Sequence, residues 1–435
     1  MALLPSVSLA LALALALALA LARAQAAASA APSALPELNL ERDCGGMGDG
    51  KTYNDAAWAA CLGRVAAAGG GLVYVPAGAF LSGPFNISTN GTTIVLGANS
   101  SLVASPETSR FPFIAPLPSL GMCREYTTRA RYSAFITVWN ASDVRITGNA
   151  SGDDRSSWGL LNGNGPTWWA LRESKVLQND PGGVIETMYS ERVEIDHVRV
   201  LFSPYWHIHP FASSFVHIHD ADVSSLHQGP ETDGIDPDSS HDVLIERVNI
   251  DTGDDAIAIK SGWDQVGIDF GMPSYNILVR DSTLSTGANG FCIGSEMSGG
   301  VYNATALNVT CLDVDVCFRL KSALGRGGVV RDIAMINSTI IGAKTAVEAS
   351  DFYGGHPGPV NASLIPIVGN ALVDGLVGVL VEAAGAFAGL NVSNISAMTL
   401  RNIRLDAPAG SWACSFVSGT AHNVAPAPCA EFVNE

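Results

Sequence analysis

Asp233 stands in Glu231-Thr-Asp-Gly-Ile-Asp236, and 21 residues beyond it Asp254 begins an acidic pair, Asp254-Asp255, preceded by Gly253. Crowded carboxyls cannot all ionise, so one is held protonated beside an ionised neighbour. Such a pair can protonate a leaving oxygen and activate a water, the acid–base work of glycosidic cleavage. In Arg319-Leu320-Lys321 the two cations project to one side of a strand and the Leu to the other. They suit an anionic sugar carboxylate at the point of cleavage. Asn289, 34 residues beyond Asp255 and 30 before Arg319, falls on the same stripe. Asp236 is expected to face elsewhere, as a solvated Asp-rich corner.

These residues meet only if the chain stacks, and the sequence repeats in the way stacking needs. Val144-Arg-Ile146, Val193-Glu-Ile195, Val216-His-Ile218, Val243-Leu-Ile245, Ile277-Leu-Val279 and Ile333-Ala-Met335 look like copies of one element, with a weaker copy at Ala304-Thr-Ala306. From Val193 the starts are 23, 27, 34, 27 and 29 residues apart. Each copy is usually preceded by Asn, Asp, Arg or a small residue and followed by a second apolar strand. A period mostly in the twenties with several short strands per repeat predicts an all-β solenoid, a right-handed parallel β-helix. A propeller would need about 40 residues per blade. Neighbouring rungs lie about 4.8 Å apart. Asp233 should therefore sit beside Asp254 and Asp255, with acid and base carboxyls nearer about 5 Å than the roughly 6.5–9.5 Å usual for inverting enzymes. The best helix candidate is Asn54 to Ala67, where Ala57, Ala60, Cys61, Val65 and Ala68 make an apolar stripe. It is expected to be a short cap over one open end of the coil.

The 435 residues carry 24 Lys plus Arg against 41 Asp plus Glu, a formal charge of −17, and 45 Gly. Charged residues at 15% with this much Gly exclude a coiled coil or long helical bundle. The 47% apolar content excludes disorder, and the acidic balance argues against nucleic acid as a partner. Met1 to Ala22 carries no charge, and Ala24-Gln-Ala26 supplies a small-x-small cleavage pattern. Residues 1–26 are expected to be a signal peptide, with an uncleaved membrane anchor as the alternative. Residues 27–40 follow as a flexible lead-in and 41–435 as a single domain, secreted to the extracellular space or cell wall, monomeric and off the membrane after cleavage.

Eight Cys fit an oxidising compartment. Cys311–Cys317 and Cys414–Cys429 are expected as local staples and Cys292 as a buried free thiol, with the remaining connectivity open. Eleven Asn-x-Ser/Thr sequons, from Asn86 to Asn394, fit a glycosylated surface. Histidines are dense: His207, His209, His217, His219, His227 and His241. His217 and His219 share a strand face and invite zinc, but no Cys or carboxylate nearby in sequence completes the ligand set. Packed polar ladders are the preferred account, and no metal or cofactor is expected.

The segments Glu231-Thr-Asp-Gly-Ile-Asp-Pro-Asp-Ser-Ser240, Gly253-Asp-Asp-Ala-Ile-Ala-Ile-Lys-Ser-Gly262 and Arg319-Leu-Lys321 resemble the signature blocks of polygalacturonases, glycoside hydrolase family 28. Gly294-Ser-Glu-Met-Ser-Gly-Gly300 and Gly325-Arg-Gly-Gly328 are similar to the plant-type branch. The resemblance implies a parallel β-helix that hydrolyses α-1,4-galacturonan of pectin with inversion and without metal. It makes Asp254 the general acid, Asp233 and Asp255 the base pair holding the water, and Arg319 and Lys321 the binders of substrate carboxylate. Two positions depart from the pattern. Glu231 stands where the family usually has Asn, which alters subsite recognition or raises local pKa values. Asn289 stands where a Gly-His-Gly block has His, which weighs against strong activity on plain polygalacturonan, although the plant-type branch also tends to lack that His.

Tyr353 is either the family's substrate-stacking Tyr or a packed loop residue, and Lys260 either reaches the sugar acid or is a surface Lys. Two other readings compete: a catalytically weak or inactive pectin-binding wall protein, and a calcium-dependent pectate-lyase-like enzyme.

Overall fold

The computed structural model describes residues 35–121, 130–149, 154–355 and 359–434. The sequence copies stack in register. Val144, Val193, Val216, Val243, Ile277, Ala304 and Ile333 are successive partners in parallel strands. The column continues through Ala371 and Met398. Inward members such as Val193, Ile195, Val216, Ile218, Val243 and Ile245 are buried, so each rung adds a layer to one continuous apolar core. A second column stacks Gly159–Asn162, Val198–Leu201, Asp222–Ser224, Asn249–Thr252 and Thr283–Thr286. A third stacks Phe85–Ile87, Ile136–Trp139, Ile185–Met188 and Ile208–Phe211. It runs on through bridges at Ile235 and Ile257 to Asn289–Ile293 and Thr310–Lys321. Three parallel columns wound this way make a right-handed parallel β-helix. This is the expected fold.

The residue before each copy, polar in all but one of these rungs, has a physical reason. Asp143, Arg192, Phe215, Asp242, Asn276, Asn303 and Asp332 all have φ between 53° and 60°, the left-handed region. Asn and Asp tolerate it best after Gly. Stacked one above another they also bond: Asn303 Nδ2 donates to Asn276 Oδ1 at 2.7 Å, and Asn276 Nδ2 to Asp242 Oδ1 at 3.0 Å.

Helix α1 spans Asp55–Ala68 and packs on the first rungs, Trp58 stacking on Phe85 at 4.2 Å. Its buried face is Ala57, Trp58, Cys61 and Val65. Ala60 and Ala68, expected in the stripe, are exposed, because the bulk of Trp58 turns the helix toward itself. The helix ends at Gly69, whose φ of 77° lets its N–H reach back to Ala66 O. Cys44–Cys61 joins the helix to the segment before it. Two later helices, α2 (Gly165–Glu173) and α3 (Asp264–Phe270), fill long connections between rungs.

The expected lead-in of 27–40 needs correction. Glu37–Asn39 pairs with Leu72–Tyr74 and buries Leu38, so ordered rungs start before residue 41. The Cys311–Cys317 and Cys414–Cys429 bonds are present, and Cys292 is free and buried. Residues 1–26 and Cys123 lie outside the described residues. Among the described residues no helix is long and apolar enough to cross a membrane.

Candidate active site

Rung register assembles the site. Gly234 N–H donates to Asp255 O and Ala256 N–H to Asn289 O, both at 2.8 Å, which sets Asp233, Asp255 and Asn289 in one column. Gly253 is required just before the acidic pair. A Cβ there would lie 2.5 Å from Gly229 O and 2.8 Å from Leu226 O. One carboxylate oxygen each of Glu231, Asp233 and Asp254 lie within 4.8 Å of one another. The crowding expected from the sequence is present. On the next two rungs Arg319 pairs with Cys292 and Glu348.

Asp254 is partly exposed, and its Oδ1 accepts the Asp255 N–H at 2.9 Å. Burial first, then the charges of Asp255 and Glu231, raise its pKa to about 6. Glu231 thus does to Asp254 what its departure from the family pattern suggested, while itself facing Arg172 at 3.7 Å. Asp255 is buried among donors. Lys321 Nζ and the Cys292 thiol reach its Oδ2, and Asn289 Nδ2 its Oδ1. Burial works to raise its pKa, but Lys321 and Lys260 outweigh it and hold Asp255 below the usual carboxylate range. Side by side stand one carboxyl built to keep its proton and one built to lose it.

Asp233 is pushed up by burial and by Asp236, with Lys260 opposing. Of the expected base pair, only Asp255 is therefore held ionised. Asp233 Oδ2 meets Lys260 Nζ at 3.4 Å, while its Oδ1 is buried without a hydrogen-bond partner among the described residues. That orphaned oxygen marks a place for a water or a sugar hydroxyl.

Several expected placements change. Asp236 is no solvated corner. It is fully buried, 4.0 Å from Lys260 Nζ, and burial lifts its pKa to about 8. The bridge at Ile235 makes this stretch a strand in the third column, so Asp236 points to the same side as His209 and Lys260. Lys260 is no surface Lys. At 3% exposure its ammonium lies between Asp233 and Glu296, at 3.4 and 3.2 Å, over the Trp206 ring. Lys321, also buried, is taken up by Asp255. Arg319 stays partly exposed, bonded to Asn289 Oδ1 at 3.0 Å and Glu348 Oε1 at 2.7 Å. Tyr353 is half-buried with its ring 5.4 Å from Arg319 and 5.2 Å from Lys321, beside the cations and not packed away from them.

Sequence reasoning missed Glu296, Glu348 and Trp206, and it placed His209 only among packed polar ladders, which is the setting found. His209 lies between Glu186 and Asp238, at 3.7 and 3.5 Å, and Glu186 in turn bonds Arg131 at 2.5 Å. The buried polar network therefore runs several rungs below the site. Its signal was available only in the third-column register, which puts His209 one rung from Asp236.

The profile of glycosyl hydrolases family 28 matches residues 73–425. A probable polygalacturonase of Vitis vinifera is 33% identical over 396 residues, covering 89% of this chain and 79% of its own. Among solved structures, an exopolygalacturonase from Thermotoga maritima superposes with a TM-score of 0.79 at 27% identity, over 90% of this chain and 92% of the other. A polygalacturonase from Erwinia carotovora shares the fold, with a TM-score of 0.69 at 21% identity over 90% and 99%. With its signature carboxylates gathered on adjacent rungs of a parallel β-helix, the chain is a glycoside hydrolase and belongs to glycosyl hydrolases family 28.

Proposed function

We propose that the protein is a secreted hydrolase of pectin that cleaves α-1,4-galacturonosyl bonds with inversion. One observation carries the reading: Asp254, raised to about 6, lies next in chain to Asp255, held ionised by Lys321. Asp254 gives its proton to the glycosidic oxygen as the C–O bond breaks. A water aligned by the unpartnered Asp233 Oδ1 attacks the anomeric carbon and passes its proton to Asp255. Arg319 and Tyr353, the exposed members of the cationic end, meet the sugar carboxylate and ring. Lys260 holds the buried carboxylates in place from below. One carboxylate oxygen each of Asp254 and Asp233 lie within 4.8 Å, closer than the carboxyls of inverting sites usually stand. Inversion remains the reading because Asp233 and Asp255, on adjacent rungs, can share one water beside the sugar, Asp233 orienting it and Asp255 taking its proton.

Secretion rests on the uncharged stretch before Arg23 and on three disulfides. The likeness to polygalacturonases names polygalacturonan as the polymer to test. The assay is release of reducing ends from de-esterified galacturonan, with Asp254→Asn beside the parent. Proton NMR should show the β-anomer first; an initial α-anomer would refute inversion.

A second reading has its own support. Asp255 already accepts from Lys321, Asn289 and Cys292, and donors of that number weaken a base. A pectin-binding protein with little turnover would retain the polymer yet release no reducing ends at any enzyme concentration.

A further inference from the structure

His217 and His219 lie two residues apart on the strand Ser214–His219, so both rings leave its outer face, their centroids 4.0 Å apart. The sequence offers no third ligand near them. The coil does: register sets Glu194, from the strand Glu191–Asp196 one rung back, opposite His217. One ligand atom from each of Glu194, His217 and His219 lies within 4.8 Å of the other two. His219 Nε2 and Glu194 Oε1 are 3.1 Å apart.

We propose that Glu194, His217 and His219 form a binding site for a zinc-type divalent transition metal that fastens two neighbouring rungs. A tetrahedral zinc with ligands at about 2.0–2.1 Å spaces its donor atoms about 3.3 Å apart. Closing this triad on an ion therefore needs side-chain movements on the order of 1 Å and no backbone change. The surroundings are already those of a metal-bound imidazole. His219 Nδ1 lies 2.8 Å from Asp220 Oδ2, a carboxylate that holds the proton on Nδ1 once Nε2 gives up its own to face an ion. Glu246, from the following rung, meets His217 Nε2 at 3.1 Å and can orient the ring or supply a fourth ligand.

Arg145 approaches Glu194 at 3.7 Å but is bonded to Asp196 at 2.8 and 2.9 Å, so it keeps its partner when Glu194 turns to an ion. Two imidazoles with one carboxylate favour zinc, copper or nickel over calcium, which takes oxygen. The site lies on the Val193–Val216–Val243 column, whereas Asp255 and Arg319 align with the third column, so the ion would serve rung stacking and not hydrolysis.

The test uses untagged full-length protein freed of metal by a chelator. Calorimetry with zinc chloride should give one saturable site per chain, cobalt(II) should give a tetrahedral visible spectrum, and zinc should raise Tm reversibly. His219→Gln and Glu194→Gln should each weaken zinc at least tenfold, and Asp220→Asn by about tenfold to a hundredfold. Each variant is compared with its parent in chelator by circular dichroism. Should His219→Gln fail to fold, Glu194→Gln, at the half-buried rim, decides alone. Absence of saturable zinc binding below millimolar concentration would overturn the proposal, as would binding that the variants leave unchanged.

Discussion

At the scale of single residues, the site is an excess of buried acid over buried base. Asp233, Asp236, Asp255 and Glu296 share the interior with Lys260 and Lys321, and Asp254 stands at its rim. Charges so buried persist only when paired, so the cluster retains protons. If Asp254 is the acid, the rate should fall as pH rises through about 6, while Asp255 keeps the acid limb low. A pH–rate profile in Asp254→Glu should move the alkaline limb and leave the acid limb in place. Stability has the same sign. A raised folded pKa stabilises fully below the ordinary carboxyl range and loses that stabilisation as pH rises through the folded value. Asp254 and Asp236 lose theirs on passing about 6 and about 8, so Tm should be higher at pH 5 than at pH 8. Asp236→Asn should flatten that difference. Lys260→Met removes the ammonium that faces Asp233 and Glu296 and should cost about 3–5 kcal/mol in denaturant unfolding. The spacing of Asp233, Asp254 and Asp255 exposed the carboxylates in the sequence. Asp236 and Lys260 were harder to place, because facing depends on where a three-residue strand begins, and composition does not mark that.

At the scale of elements, the repeat was legible because each rung must place the same few residue types at the same phase. Its irregularities have structural causes. The 34-residue interval between Val243 and Ile277 contains α3, and the long gap between Val144 and Val193 contains α2. A helix carried outside the coil lengthens a connection without disturbing register. The same freedom hid Glu296, which follows α3, since such an insertion shifts sequence distance while leaving spatial distance alone. The left-handed corner is the constraint that does not move. Asn276→Val should strain φ of 54° and cut the ladder to Asn303 and Asp242, costing on the order of 2 kcal/mol. Chemical denaturation would read this directly. The helix stripe was misjudged at Ala60 and Ala68 because a count of alanines carries less information than one buried Trp58.

For the whole molecule, stability is a chain of nearest-neighbour interfaces, since each rung touches only the rungs on either side. Cys44–Cys61 closes a loop of 17 residues at the first rungs, and removing it through Cys61→Ala should cost about 3 kcal/mol. Cys414–Cys429 lies at the opposite extremity. A column held by adjacency alone erodes from its bare faces, and here each terminus wears a covalent latch. Heat therefore has no cheap place to begin, and the molecule should melt in one step. With both latches opened by a reductant, coils should instead peel away from the extremities, and a protease added at moderate warmth would recover a trimmed middle.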